Sequence, residues 1–277
     1  MFEYGELPYR PTVVAMWEAV RRDHADNDFI VSSVGDGTIE RVTYGEADRR
    51  SAELGARLIA AGVGKGDRVG ILAPNGPVFV VAFLAAARIG AVAVPINTFF
   101  QPPELAWLVR DADLHTVLAT PEILGRSTLD RLAEAVPGLA GAPSGPLRLV
   151  DAPHLRNVLT LDGSDEYPAP WPDPVDAELF AACEQSVRPA DDLMVIYTSG
   201  STADPKGIIH GHGSAVRHSH FIASQHGWTP DDRVYVPMAF FWVGGLVFGV
   251  LGPMQIGVTI LTEHRFEPGD VLRLLER

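Results

Sequence analysis

Two spacings of apolar residues alternate along the first 120 positions of the chain. Spacings of three and four residues predict helices, and they occur in residues 11–25, 43–62, 78–89 and 102–113. Short continuous apolar runs predict buried strands, and they occur in residues 68–73, 91–95 and 115–120. This alternation favours an α/β fold with layered, mostly parallel sheets and flanking helices.

Polar and glycine residues mark several ends of these elements. Thr43 and Glu46 have the spacing of a capping box, which starts a helix, and Gly62 is suited to end that helix. Two strand-like runs around a Gly-Asp-Gly turn predict a hairpin, residues 29–34 and 39–43.

The middle of the chain is rich in proline, glycine and aspartate from residue 137 to 174, which is typical of a connection between two lobes. It is expected to hold one or two short strands inside loops, near residues 147–150 and 158–161. A second α/β run starts at Asp191. We therefore expect a first α/β subdomain over residues 1–180 and the start of a second, incomplete one over 181–277.

No charged residue occurs from residue 234 to 262, a stretch long enough to cross a bilayer. Pro237, Pro253, Gln255 and five glycines interrupt it. Breakers at this density favour a buried strand, loop, helix and second strand over a transmembrane segment.

The chain is acidic, which bears on its partners. Its 277 residues carry 22 Lys and Arg against 35 Asp and Glu, a formal net charge of −13. A general nucleic-acid-binding protein needs the opposite balance in order to neutralise phosphates. The single cysteine, Cys183, excludes an internal disulfide and a cysteine-based zinc site, and it favours a reducing, cytoplasmic location.

The segment that carries chemistry follows a predicted strand at residues 193–197. It holds four hydroxyls, two glycines and a lysine within ten residues, 198–207. Hydroxyl and main-chain N–H groups donate to phosphate oxygens, and a lysine adds a mobile positive charge. The order is not that of a Walker loop, because Pro205 and Gly207 stand where glycine and Ser or Thr are needed. The alternative is a Ser/Thr-rich turn that only links two strands.

Residues 197–207 resemble the nucleotide-binding signature of the adenylate-forming superfamily, the AMP-dependent synthetases and ligases that include acyl-CoA synthetases. Further segments are similar to motifs of that superfamily in the same order, namely residues 42–46, 87–97, 237–245 and 266–268. The resemblance implies the N-terminal lobe of an enzyme of the acyl-CoA synthetase type.

The resemblance also implies an activity. A carboxylic acid would attack the α-phosphate of ATP to give an acyl-adenylate, and CoA would then take the acyl group as a thioester. The resemblance assigns the binding of the β- and γ-phosphates of ATP to Thr198, Ser199, Gly200, Ser201, Thr202 and Lys206. Lys206 and Thr202 would take part in catalysis, with the Thr202 hydroxyl near Mg²⁺. The expected cofactors are ATP, Mg²⁺ and CoA.

Residues 237–245 resemble the acyl-pocket region of these enzymes, which implies substrate-binding roles for Trp242, Gly244 and Gly245. Two positions depart from the pattern. Ala203 stands where the family usually has glycine, and Trp242 replaces a histidine beside the acyl carboxylate. No acidic residue lies between Tyr235 and Thr262, so an ammonium group there would lack a partner. We therefore expect a fatty, aryl or sterol-derived acid.

Five histidines follow the loop, His210, His212, His218, His220 and His226. Two H-x-H pairs suggest a metal site, but His218 and His220 are predicted to lie on a helix, where their rings point apart. No nearby Cys, Asp or Glu completes a ligand set. We expect these histidines to flank the loop or to lie on a helix surface.

The superfamily's adenine, ribose and catalytic-lysine segments do not occur before Arg277. The expectation is a truncated front half of a longer ligase, with the C-terminal lobe absent. Two alternatives stay open: a non-catalytic binding or partner module, and an acyl-AMP ligase that loads a carrier protein. A sheet cut short would expose an edge and an apolar face, which predicts self-association or a homo-oligomer.

Overall fold

The computed structural model describes residues 7–35, 37–142, 145–161, 171–198 and 205–276. The strands, in chain order, are β1 (Asp28–Gly35), β2 (Thr38–Thr43), β3 (Arg68–Leu72), β4 (Val92–Pro95), β5 (Thr116–Ala119), β6 (Glu122–Ile123), β7 (Arg126–Ser127), β8 (Asn157–Thr160), β9 (Asp192–Thr198), β10 (Lys206–Gly211), β11 (Arg233–Tyr235) and β12 (Thr259–Glu263). The helices are α1 (Val13–His24), α2 (Tyr44–Ala60), α3 (Pro77–Arg88), α4 (Pro102–Asp111), α5 (Thr128–Ala135), α6 (Ala177–Ser186), α7 (His212–His226), a π-helix (Gly244–Leu251), α8 (Gly252–Met254) and α9 (Pro268–Leu275).

Two large sheets organise these elements. The first has the order β10-β9-β4-β3-β5-β8, in which all strands are parallel except β10 at one edge. The second has the order β11-β12-β1-β2, in which only β2 is antiparallel. The α/β class with mostly parallel sheets is confirmed. The division at residue 180 stays a prediction, and strands from both sides of it lie in both sheets.

Helix α3 lies between the two sheets and forms the centre of the core. It contacts β3 and β4 of the first sheet and β1 and β2 of the second. Eleven of its twelve residues are buried, so the helix has no polar face. A helix that is apolar all round is stable only where it is surrounded by protein. Burial of α3 therefore fixes how the two sheets face each other.

The structure confirms the helices and strands predicted for the first 120 residues, including the hairpin of β1 and β2. The strand expected near residues 147–150 is wrong, because only a single bridge, between Leu149 and Ala152, forms there. Strand β8 confirms the second expected strand. The elements that were not predicted from the sequence are β6, β7, α5, α6 and β10.

The uncharged stretch from residue 234 to 262 folds as the end of β11, a loop, the π-helix with α8, and most of β12. This matches the predicted strand, loop, helix and strand. In the part of the chain that the structure describes, no helix has the length and apolar character needed to cross a membrane.

Candidate active site

A cavity of about 290 Å³ lies at the carboxyl ends of β4 and β9, which are neighbours in the first sheet. The chain leaves β4 towards β5, on one side of this pair, and leaves β9 towards β10, on the other side. Open α/β sheets bind ligands at the point where the connections diverge in this way. The lining residues are Pro95, Asn97, Phe100, Glu104, Leu108, Tyr197, Thr198, Pro205, Phe241 and Trp242.

Thr198 and Lys206 form the base of the predicted phosphate loop. They are paired in the register of β9 and β10, and the Thr198 hydroxyl donates to the Lys206 carbonyl oxygen at 3.5 Å. Both side chains are exposed, and Lys206 makes no ion pair within the described residues. The hairpin therefore pairs Thr198, which lines the cavity, with a lysine that has no ion-pair partner among the described residues. Ser199, Gly200, Ser201 and Thr202, and also Ala203, lie outside the described residues.

Gly207 explains how β9 and β10 approach each other at this point. It pairs with Tyr197, and a Cβ atom at Gly207 would lie 2.9 Å from Val195 Cγ1 and 3.0 Å from Tyr197 Cζ. These distances leave no room for a side chain, so glycine allows the tyrosine ring to cover β10.

The ring of Tyr197 in turn fixes the end of β9 against α4. Its hydroxyl donates to Asp111 Oδ2 at 2.7 Å, and the edge of the Trp107 ring meets it at 5.4 Å between centroids. Burial and the Asp111 carboxylate both raise the pKa of Tyr197. The hydroxyl therefore stays protonated at neutral pH and holds the strand end in place.

Aromatic side chains form the opposite wall of the cavity. Trp242 is 51% exposed, and its ring meets that of Phe241 in an edge-to-face contact at 5.2 Å. Phe241 meets Phe99 in the same manner at 6.4 Å. The structure thus places Trp242 on the same cavity as Thr198, and its role in substrate binding stays a prediction.

Gly244 and Gly245 lie at the start of the π-helix and are not among the residues that line this cavity. A Cβ atom at Gly245 would lie 2.0 Å from the Ala239 carbonyl oxygen. Gly245 therefore lets the π-helix pack directly on the chain that leads to Trp242. A π-helix of this kind often marks a functional region.

Two polar residues of the cavity were not predicted as site residues. Asn97 follows β4, and its Oδ1 accepts the Phe99 N–H at 2.9 Å. Glu104 lies in the first turn of α4, where its Oε2 accepts the Gln101 N–H at 2.8 Å. The Gln-x-x-Glu spacing was the available signal for this cap. Glu104 brings an acidic group to the cavity from outside residues 235–262.

The five histidines do not converge. His218 and His220 lie on α7 as predicted, His226 ends that helix, and His210 belongs to β10. No three His, Cys, Asp or Glu side chains among the described residues are placed to hold a metal ion. His212 alone of these five histidines is fully buried. It lies at the start of α7 and accepts a hydrogen bond from α1.

The sequence profile of the AMP-binding enzyme family matches residues 16–277. The chain belongs to the AMP-binding enzyme family. This confirms the resemblance described above, and the similarity covers the N-terminal portion of its relatives.

Two curated relatives show how much of the family's length the chain covers. It is 31% identical over 239 residues to the long-chain-fatty-acid–CoA ligase FadD13 of Mycobacterium tuberculosis, covering 85% of this chain and 42% of the relative. It is 32% identical over 236 residues to a feruloyl-CoA synthase of Amycolatopsis, with the same two coverages. The chain therefore spans about 42% of the length of these relatives.

Solved structures of the family share the fold. VinN in complex with 3-methylaspartate matches with a TM-score of 0.71 and 26% identity, over 98% of this chain and 65% of that one. O-succinylbenzoate coenzyme A synthetase from Bacillus subtilis, in complex with AMP, matches with a TM-score of 0.69 at 20% identity.

Proposed function

We propose that the protein to which these residues belong activates a carboxylic acid with ATP and transfers the acyl group to CoA. The observation that carries this proposal is that Thr198, which is paired with Lys206 at the base of the predicted phosphate loop, lines the same cavity as Trp242. A phosphate-binding loop and an apolar pocket must share one space if an acid is to meet a nucleotide. The acyl-CoA ligases among the relatives support the same reaction.

The exposed side chains at the loop base fit the chemistry of the phosphates. The Lys206 ammonium and the Thr198 hydroxyl would donate to phosphate oxygens, where negative charge increases as pyrophosphate leaves. The carboxylate oxygen forms a bond to the α-phosphorus as the bond to pyrophosphate breaks. The CoA sulfur then replaces AMP on the acyl carbon. Mg²⁺ would neutralise phosphate charge, with the Thr202 hydroxyl as its proposed neighbour.

Replacing Lys206 with alanine in the full-length protein should reduce acid-dependent ATP–pyrophosphate exchange by about 10²–10³-fold, because one donor to the developing charge is lost. Lys65→Ala is the matched control. Lys65 bonds Ser186 O and Asp191, and neither residue lines the cavity. Equal exchange in the Lys206 variant and the wild type would contradict the role of the loop. Exchange without CoA thioester formation would favour the carrier-protein alternative, and no exchange at all would favour a non-catalytic module.

We further propose an acid with an apolar or aromatic body: fatty, aryl or sterol-derived. Four aromatic side chains and Leu108 make up half of the lining residues, and two prolines add further apolar surface. Glu104 adds one carboxylate, but its Oε2 is engaged in capping α4. The relatives that carry long-chain fatty acid and feruloyl names support this class. A cytoplasmic location and self-association stay predictions.

Heptanoate ends in a methyl group where 6-aminohexanoate ends in an ammonium group. The two acids therefore test this substrate class directly. We expect heptanoate to bind at least about tenfold more tightly, because a buried ammonium without a partner costs more than 1 kcal/mol. Isothermal titration of both acids measures the ratio. Tighter binding of the aminated acid, lost in Glu104→Gln, would show that Glu104 pairs with an ammonium and that the proposed class is wrong.

A further inference from the structure

The side chain of Asn75 joins the two large sheets at their carboxyl ends. Asn75 lies between β3 and α3 and is half-buried. Its Oδ1 accepts the Phe240 N–H at 2.8 Å, and its Nδ2 donates to the Met238 carbonyl oxygen at 3.0 Å. The side-chain amide thereby bonds the two main-chain groups that a neighbouring strand would use. These groups also fix the amide orientation, because a carbonyl oxygen can only accept and an N–H can only donate.

Thr262 completes this arrangement. Its Oγ1 lies 3.4 Å from Asn75 Nδ2, which donates to it, and the hydroxyl itself donates to the Val236 carbonyl oxygen at 3.0 Å. Thr262 is fully buried in β12. We call Asn75 and Thr262 the polar clamp. It binds the main chain at three points between Val236 and Phe240.

The clamped chain is the wall segment, residues 236–243, which connects β11 to the π-helix. Among the described residues, its main-chain hydrogen bonds reach a strand only at Val236, whose N–H donates to Leu261 O at 2.8 Å. On the other side, the π-helix packs directly on the segment at Gly245 and Gly249. An added Cβ atom at Gly245 would lie 2.0 Å from Ala239 O, and one at Gly249 would lie 2.3 Å from Val236 Cγ1. The clamp supplies side-chain hydrogen bonds to the main chain of the segment, and the ring contacts Phe79–Phe240 and Phe99–Phe241 add packing.

The wall segment carries Phe241 and Trp242, the two residues that follow the last clamped atom, Phe240 N. We infer that Asn75 is a positioning residue, which sets the place of Trp242 on the cavity and so the shape of the proposed acyl pocket. The reference to an acyl pocket rests on the proposed function, whereas the positioning of Trp242 does not. Asn75 itself does not line the cavity, so it acts through the wall segment.

The inference is tested by ¹⁹F NMR of the full-length protein labelled with 5-fluorotryptophan, in which Trp242→Phe identifies the Trp242 line. Asn75→Ala should move or broaden that line by more than its own width while the other tryptophan lines stay in place. Asn75→Asp keeps the acceptor for Phe240 N–H and loses the donor, so it should give a smaller change. Thr262→Val removes the second half of the clamp with little change in volume and should move the same line.

Asn157→Ala is the matched control. Asn157 is also half-buried, and its Nδ2 donates to a carbonyl oxygen, Ala61 O, and a hydroxyl, Thr116 Oγ1, both at 3.1 Å. It belongs to β8, at the far edge of the first sheet. Its loss should lower stability without moving the Trp242 line. An unmoved Trp242 line in folded Asn75→Ala or, if that variant does not fold, in Thr262→Val would overturn the inference.

Titration of the wild type with benzoate separates this inference from the proposed function. If the cavity takes a carboxylic acid, the Trp242 line moves as benzoate is added, and Asn75→Ala should weaken that response. If the Trp242 line of the wild type does not move when benzoate is added, the proposed acyl pocket is contradicted. The comparison of variants without ligand still decides whether Asn75 positions Trp242.

Discussion

Replacing Arg88 with methionine should lower the free energy of unfolding by about 3–5 kcal/mol, because it removes one partner of a buried charge network. The Arg88 side chain is only 4% exposed. Its Nε donates to Glu184 Oε1 at 2.5 Å, and its Nη1 lies 3.0 Å from Asp48 Oδ1 and donates to Ser51 Oγ at 2.8 Å. The guanidinium also lies over the Phe180 ring, 5.0 Å from its centroid. Methionine would fill much of the space and leave two carboxylates facing it.

Two comparisons separate the network from general damage to a helix. Arg110 pairs with Asp151 at 2.7 Å, but its side chain is 57% exposed. Arg110→Met should therefore cost less than about 1 kcal/mol. Adding Glu184→Gln to Arg88→Met removes the carboxylate that has lost its partner and should restore part of the loss. Asp48 keeps Arg21 and the Trp17 Nε1–H as partners. Urea denaturation of these variants measures each difference. Equal losses at Arg88 and Arg110 would contradict a special role for the buried network.

The Arg88 network shows what one local motif can and cannot predict. Residues 87–97 resemble a family signature, and the apolar spacing around Arg88 predicts α3 correctly. Its partners, however, belong to α2 and α6, at Asp48 and Glu184. An arginine within an apolar run carries no signal for carboxylates 40 residues before it and 96 residues after it. The helix was predictable, and the burial of its charge was not.

Elements with a single apolar stripe or a continuous apolar run were found, and those without either were missed. Strand β10 has neither, because it is an exposed edge strand with Ile208 and Ile209 45% and 54% exposed. A helix was expected where the π-helix lies, but its π form departs from the 3.6-residue period of an α-helix and was not predicted. Helices α5 and α6 did carry signals, since Ser127 and Asp176 cap them through their side chains. No helix was predicted at either of these caps.

The candidate site also has features that the sequence predicts and features that it does not. The loop after β9 and the position of Trp242 follow from motifs that are each continuous in sequence. Asn75 was missed because it acts on a segment far from its own, more than 160 residues away. Glu104 caps its own helix through Gln101, and this local signal does not indicate that its side chain lines a cavity. Thr198 and Lys206 were predicted as members of one loop, whereas their pairing depends on the antiparallel hairpin of β9 and β10.

The free energy of unfolding should fall by about 3 kcal/mol as the pH drops from 6.5 to 4, because His212 is neutral in the folded protein. The side chain is fully buried, and its Nδ1 accepts the Val13 N–H at 3.4 Å, which requires a neutral ring. Burial lowers the pKa of His212 from 6.5 to about 4; Asp191 raises it and Lys65 lowers it further. The unfolded chain therefore binds a proton below pH 6.5, and the folded chain does so only near pH 4. Stability is fully present above pH 6.5 and falls as the pH drops, by about 1.4 kcal/mol per pKa unit.

Urea denaturation at pH 7.5 and pH 4.5 measures this loss, and His212→Gln should reduce the difference between the two values. Glutamine does not titrate, and its Oε1 can still accept the Val13 N–H. Burial also lowers the pKa of His210, His115 and His264, so the variant retains part of the acid sensitivity. His154→Gln, at a side chain 64% exposed, is the matched control for replacing a histidine. If His212→Gln and wild type lose equal stability on acidification, His212 is not neutral in the folded protein. Because the Val13 N–H donates to His212 Nδ1, protonation of that nitrogen would break this hydrogen bond between α1 and α7.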